Sequence, residues 1–161
     1  MILGMSIATF TLVHVVISLI GILAGFVVLA EMLAGGRLDV WNAVFLATTV
    51  ATSVTGFFFP STTFGPSQMV GVISLVALAV ALFALYGRGL AGSWRAIYVV
   101  AAVLALYLNV FVGVVQAFQK LPFLAALAPT QSEPPFLVAQ SVVLVAFLTL
   151  GFLAVRRFPP R

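Results

Sequence analysis

The stretch Val70-Gly71-Val72-Ile73-Ser74-Leu75-Val76-Ala77-Leu78-Ala79-Val80-Ala81-Leu82-Phe83-Ala84-Leu85 decides the fold. It is apolar on every face, whereas a transmembrane barrel strand would alternate apolar and polar positions over about ten residues. The segment therefore reads as a helix with apolar surroundings on all sides. The remainder of the chain has the same character: 64% of its 161 residues are hydrophobic and 6% are charged, with a mean hydropathy of +1.31. A soluble domain carries about 25% charged residues, and seven basic plus three acidic side chains cannot cover a 17.0 kDa globule. Disorder needs low hydrophobicity and high charge and is excluded on the same numbers. The composition fixes an all-α integral membrane protein.

A helix crosses a hydrocarbon core of about 30 Å with roughly 20 apolar residues. Five stretches meet or approach that length, at 7–33, 40–59, 69–86, 97–118 and 136–155, forming one transmembrane domain over 1–161. Breaker-rich connections separate them, the last being a longer outer loop at 119–135. The first stretch has no charged n-region and exceeds the 7–15 apolar residues of a signal peptide, so it is retained as a helix. Arg37, Arg88, Arg95, Arg156, Arg157 and Arg161 fall on one side of this arrangement and Lys120 alone on the other. The positive-inside rule then predicts the N-terminus outside and the C-terminus cytoplasmic. Trp41, Tyr86, Trp94 and Tyr98 read as an interfacial belt on the cytoplasmic side, and Phe57-Phe58-Phe59 marks the opposite one.

Offset by 53 positions, Trp41-Asn42-Ala43-Val44-Phe45 falls on Trp94-Arg95-Ala96-Ile97-Tyr98. This suggests a parallel repeat of two hairpins plus a fifth helix; the plainer reading is two hydrophobic hairpins of similar length.

Because a polar side chain in lipid is costly, each one inside a span faces protein, a cavity or a ligand. His14, Ser18, Thr52, Ser53, Thr55, Asn109, Gln116 and Gln140 are all assigned to the outer halves of their helices. Asn109, Gly113, Gln116 and Lys120 are spaced four, three and four apart, which is one helical face. Thr11, His14, Ser18, Gly21 and Gly25 form a second, with Gly21 and Gly25 as a GxxxG step that permits close backbone approach. The two faces are expected to meet. Hydroxyls can bond to carbonyls of their own helix, but the amides of Asn109, Gln116 and Gln140 cannot satisfy themselves in that way. They predict an outer-half polar pocket shared with Thr52, Thr55 and His14.

His14, the sole histidine, is open to three readings: an axial ligand to a haem or chlorin, a hydrogen-bond donor to a quinone, or a buried imidazole bonded to a neighbour. No metal site is expected, since catalytic metals take three or more His or carboxylate ligands. Glu31 reads as an interfacial carboxylate beside Arg37. The absence of cysteine rules out a thiolate nucleophile or dithiol relay. In the outer loop, 121–129 predicts a short apolar helix in the interface or over the bundle mouth, with Gln131 and Glu133 either in a lid above the polar cluster or in a plain connector.

The segments 45–60, 105–111 and 128–136, which include Thr52-Ser53-Val54-Thr55-Gly56-Phe57-Phe58-Phe59-Pro60 and Gln131-Ser132-Glu133-Pro134-Pro135, resemble a family of small polytopic bacterial inner-membrane proteins of uncharacterised activity. The resemblance implies a multi-pass bacterial inner-membrane address and no substrate or cofactor.

These features favour a non-catalytic membrane module, either an accessory subunit of a larger membrane complex or a binder of a hydrophobic small molecule in the outer-leaflet half. A redox or cofactor-binding protein with a tetrapyrrole or quinone at His14 is the second reading, and a small-molecule transporter the third. The bound species in the first case would be a lipid or similar molecule. The partners expected are the lipid bilayer and either further copies in a homo-oligomer or a larger complex, with no nucleic acid.

Overall fold

The computed structural model describes residues 1–160, among which the only regular elements are helices. They are α1 (Ile7–Leu33), α2 (Val40–Gly56), α3 (Pro66–Leu82), α4 (Trp94–Lys120), α5 (Pro122–Leu127) and α6 (Pro134–Arg157). Arg161, counted above among the basic residues, lies outside the described residues.

The helix starts follow local chemistry. Ser6 Oγ accepts the Thr9 N–H at 3.1 Å to cap α1, and an Asp39 carboxylate oxygen accepts the Trp41 N–H at 2.8 Å to cap α2, each satisfying an otherwise orphaned donor. Pro66 and Pro134 open α3 and α6 at positions where a missing N–H costs nothing. These caps start α3 and α6 earlier than the apolar runs alone predict. α2 stops short of the expected residue 59, because the Phe57 and Phe58 N–H groups turn back to the Val54 and Thr55 carbonyls at 3.1 Å each. This tightened turn precedes Pro60, which disfavours helix in the residue before it. α3 ends in the opposite way, widening into a π turn over Phe83–Gly87. There the Arg88 N–H reaches the Phe83 carbonyl at 3.0 Å.

Among the described residues four helices are long and apolar enough to cross a membrane: α1, α3 with its π extension, α4 and α6. The chain is a multi-pass helical membrane protein. α2, at 17 residues, is shorter and packs between α1 and α3. α4 is the hub, touching α1, α3, α5 and α6, whereas α6 lies at the periphery with Phe147 and Ala154 as its buried residues.

The core is concentrated toward the end carrying Arg37, Arg88, Arg95 and Arg156. It joins Ala24, Val28 and Met32 of α1, Phe45 of α2, Ala81 of α3 and Tyr98, Val99, Ala102 and Leu106 of α4. At that end Arg95 binds α4 to α6: its guanidinium donates to the Val155 carbonyl at 2.9 Å and to that of Phe158. The opposite half is looser, with Phe10 and Phe118 as its principal buried side chains.

One member of the expected aromatic belt belongs elsewhere. Trp41 and Tyr86 are exposed, but Tyr98 has 0% exposure and its hydroxyl donates to Asn42 Oδ1, itself buried. A tyrosine enters an apolar interior when its O–H finds a partner, and Asn42 provides one from α2.

Candidate functional site

Several polar residues inside the bundle lie along the seam between α1 and α2, whose antiparallel register can be followed step by step. His14 Nδ1 lies 2.7 Å from Thr55 Oγ1. Two turns further along α1, Gly21 faces Thr48 and Thr49, and one turn beyond that Gly25 faces Phe45. A small or polar position on α1 is thus met at each level by a threonine or an aromatic ring on α2.

Thr48 and Thr55 present oxygens to the seam because their protons are spent on their own helix. Thr48 Oγ1 donates to the Val44 carbonyl at 2.7 Å and Thr55 Oγ1 to that of Ala51 at 2.7 Å. With the Thr55 proton on the Ala51 carbonyl, Thr55 Oγ1 turns a lone pair toward His14 Nδ1, and the tautomer that completes this contact is the one protonated at Nδ1. The imidazole packs edge-on against Phe59, with ring centroids 5.1 Å apart. Ser18, expected in the same cluster, donates to the His14 carbonyl at 2.7 Å. Ser53 and Ser74 join hydroxyls at 2.9 Å to tie α2 to α3.

α4 approaches α1 closely at only one end of their crossing. A Cβ built on Gly25 would lie 2.5 Å from Leu106 Cδ1, and one on Gly21 3.3 Å from Asn109 Nδ2. One built on Gly113 would meet only the tip of Ile22, at 3.7 Å. The helices therefore spread toward Gln116, which is exposed. Asn109 and Gln116 share a helical face, as the spacing predicts, but only Asn109 is enclosed by α1 and α2.

Gln140 belongs to a separate contact, its Nε2 donating to the Phe111 carbonyl at 3.2 Å to join α6 to α4. Gln131, with φ of +60°, donates to the Val115 carbonyl at 3.2 Å. Glu133 accepts from the Thr130 hydroxyl at 2.8 Å and from the N–H groups of Thr130 and Ser132 at 3.1 Å. Glu133 thus closes the turn between α5 and α6, and Gln131 ties that turn to α4. α5 packs on α4 and leaves Phe123 and Leu127 exposed, as in a short interfacial helix. Glu31, read as a partner of Arg37, has a buried Oε2 without a hydrogen-bond partner.

The seam also contains unpartnered polar atoms: Thr49 Oγ1, Thr52 Oγ1 and Asn109 Nδ2 are buried with no hydrogen-bond partner. Thr48 and Thr49 were not singled out from sequence, although Thr48 shares a helical stripe with Thr52 and Thr55. No group of three or more His, Cys, Asp or Glu is placed to hold a metal among the described residues.

The basic half is filled more closely. A void of about 10 Å³ remains between Gly25, Met32, Phe45, Ala102 and Leu106. On the flank of that half, a groove of about 350 Å³ runs between α2 and α3, lined by Ala43, Leu46, Ala47, Val50, Leu82 and Tyr86. Neither a family model, nor a curated protein, nor a solved structure matches the chain.

Proposed function

We propose that this chain is a non-catalytic integral membrane module that serves as an accessory subunit of a larger complex in the bacterial inner membrane. The observation that carries this reading is the use of polar side chains as helix-to-helix fasteners. His14–Thr55, Asn42–Tyr98, Ser53–Ser74 and Gln140 with the Phe111 carbonyl each join two helices. A polar group used in this way specifies packing and is not free to act on a substrate. His14 is itself one of these fasteners, its Nδ1 held 2.7 Å from Thr55 Oγ1 and its ring packed edge-on against Phe59 with centroids 5.1 Å apart.

In this reading α2 is the fifth span, held level with its neighbours by Asn42 near its start and Thr55 near its end. The arginine-bearing end faces the cytoplasm and the N-terminus lies outside, in keeping with the distribution of basic residues. The repeat of two hairpins finds support in the matched burial of Phe45 and Tyr98, which occupy equivalent positions in it.

A second reading, a binder of a hydrophobic small molecule, is favoured by the groove between α2 and α3. It would place an acyl or isoprenoid chain in the cytoplasmic half, not the outer half.

Native mass spectrometry of the chain released from its own membrane without added lipid separates these readings. A stoichiometric assembly with a different polypeptide is the expected result. A monomer or homo-oligomer free of other chains overturns the accessory-subunit reading, and a stoichiometric lipid adduct on such a species supports the second.

A further inference from the structure

Over Gly21, near the middle of α1, three polar atoms from two other helices converge. A Cβ built on this glycine would lie 3.1 Å from Thr48 Oγ1, 3.2 Å from Thr49 Oγ1 and 3.3 Å from Asn109 Nδ2. Thr49 is 1% exposed, and both its Oγ1 and Asn109 Nδ2 are buried without a hydrogen-bond partner. Thr48 has spent its proton on the Val44 carbonyl and offers only lone pairs. A buried donor or acceptor left unsatisfied costs stability, and two of them beside one glycine point to a ligand that serves both.

We propose that this crossing of α1, α2 and α4 binds one water molecule as a fixed part of the structure. The water accepts a hydrogen bond from the Asn109 amide N–H and donates to Thr48 Oγ1 and Thr49 Oγ1. Buried waters typically make about three such bonds to otherwise unsatisfied groups, which is the number these residues supply. Gly21 carries no side chain to stand between the three. The set does not suit a cation: an ion at this depth calls for a carboxylate or freed backbone carbonyls, and here the amide presents a donor and the surrounding residues are helical. The site is distinct from the His14–Thr55 contact two turns away, and it stands whether or not the chain works inside a complex.

The test is water-edited solid-state NMR of the whole chain in lipid bilayers, reading polarisation transfer from water protons to the Asn109 side-chain amide. The wild type should show transfer at a level well above that of the buried Ala81 and Ala105 methyls. Gly21→Ala, which puts a methyl at the convergence point, should reduce it several-fold. Thr49→Val, which keeps the side chain's shape and removes its hydroxyl, should weaken it and serves as the reporter if Gly21→Ala does not fold. No transfer to Asn109 in the wild type, or transfer unchanged in the folded variants, overturns the proposal. So does an Asn109 resonance that moves when sodium replaces choline as the buffer cation, which would indicate an ion at the site.

Discussion

Gly25 of α1 is pressed against Leu106 of α4: a Cβ on the glycine would stand 2.5 Å from Leu106 Cδ1, and 3.0 Å from the Phe45 ring on its other side. Leu106 and Phe45 are each 1% exposed, and the void beside them is only about 10 Å³, so either has little room to swing aside. This contact sets how closely α1, α2 and α4 approach one another.

Gly25→Ala should therefore lower stability by about 1–3 kcal/mol, the usual cost of overpacking a tight interior. Gly113→Ala is the control, because its new methyl would meet only Ile22 at 3.7 Å. That change should be neutral or stabilising, since Ala is favoured over Gly in a helix interior by about 0.5–1 kcal/mol. Unfolding midpoints in one detergent check both; equal losses would show that the crossing is not closed at Gly25.

The contrast between these glycines shows what periodicity conveys and what it omits. The small-residue stripe of α1 and the shared face of Asn109, Gly113 and Gln116 were both legible, because helical spacing alone places residues on a face. Which end of the α1–α4 crossing closes was not, since crossing geometry depends on how side chains of both helices interdigitate. Gln116 was therefore grouped with Asn109 although it is exposed. Tyr98 was hidden for a related reason: near Trp94 at the start of a span it resembles an interfacial anchor, and its burial depends on Asn42, which is distant in sequence. The long apolar helices were readable because their signal is local and strong.

Tyr98→Phe should destabilise the bundle by removing the donor to Asn42 Oδ1. Interhelical hydrogen bonds in membrane proteins average about 0.6 kcal/mol, with values up to about 1.7 kcal/mol. The near-complete burial of both residues puts this one toward the upper part of that range. Adding Asn42→Leu to Tyr98→Phe should recover part of the loss, as expected when no orphaned amide remains. A double-mutant cycle reads the coupling, and strictly additive losses would mean that the two side chains act independently.

Glu133 gives the start of α6 a pH dependence. What little desolvation the carboxyl experiences pushes its pKa up, but hydrogen bonds from the Thr130 hydroxyl and the Thr130 and Ser132 N–H groups outweigh this, and the net shift is below the ordinary 4.5. A carboxyl with a lowered folded-state pKa contributes stability that is present above its ordinary value and lost as pH falls through the lower folded one. Amide exchange at Phe136 and Leu137, whose N–H groups bond to the Glu133 carbonyl at 3.1 and 3.2 Å, should accelerate as pH falls below the ordinary carboxyl value of 4.5, after correction for intrinsic rates. Glu133→Gln should flatten that profile; a profile that persists in the variant would place the titrating group elsewhere.

The other end of α6 depends on Arg95. The final carbonyls of a helix have no partners within it, and here the Arg95 guanidinium takes those of Val155 and Phe158 while placing a positive charge where the helix dipole favours one. α6 has few buried anchors, Phe147 and Ala154, so loss of this clamp should be felt locally before the whole bundle responds. Arg95→Gln should speed exchange of the Phe158 amide, which bonds to the Ala154 carbonyl at 2.9 Å, and lower stability by about 1 kcal/mol. That figure lies below the range for fully buried charged hydrogen bonds, since Arg95 is only half-buried. Arg95→Lys should fall between the two, because an ammonium retains the charge but lacks the planar fork that reaches two carbonyls at once. If exchange at Phe158 is the same in all three proteins, α6 is held by its apolar contacts with α4 and α1, and the Arg95 contacts do not anchor its end.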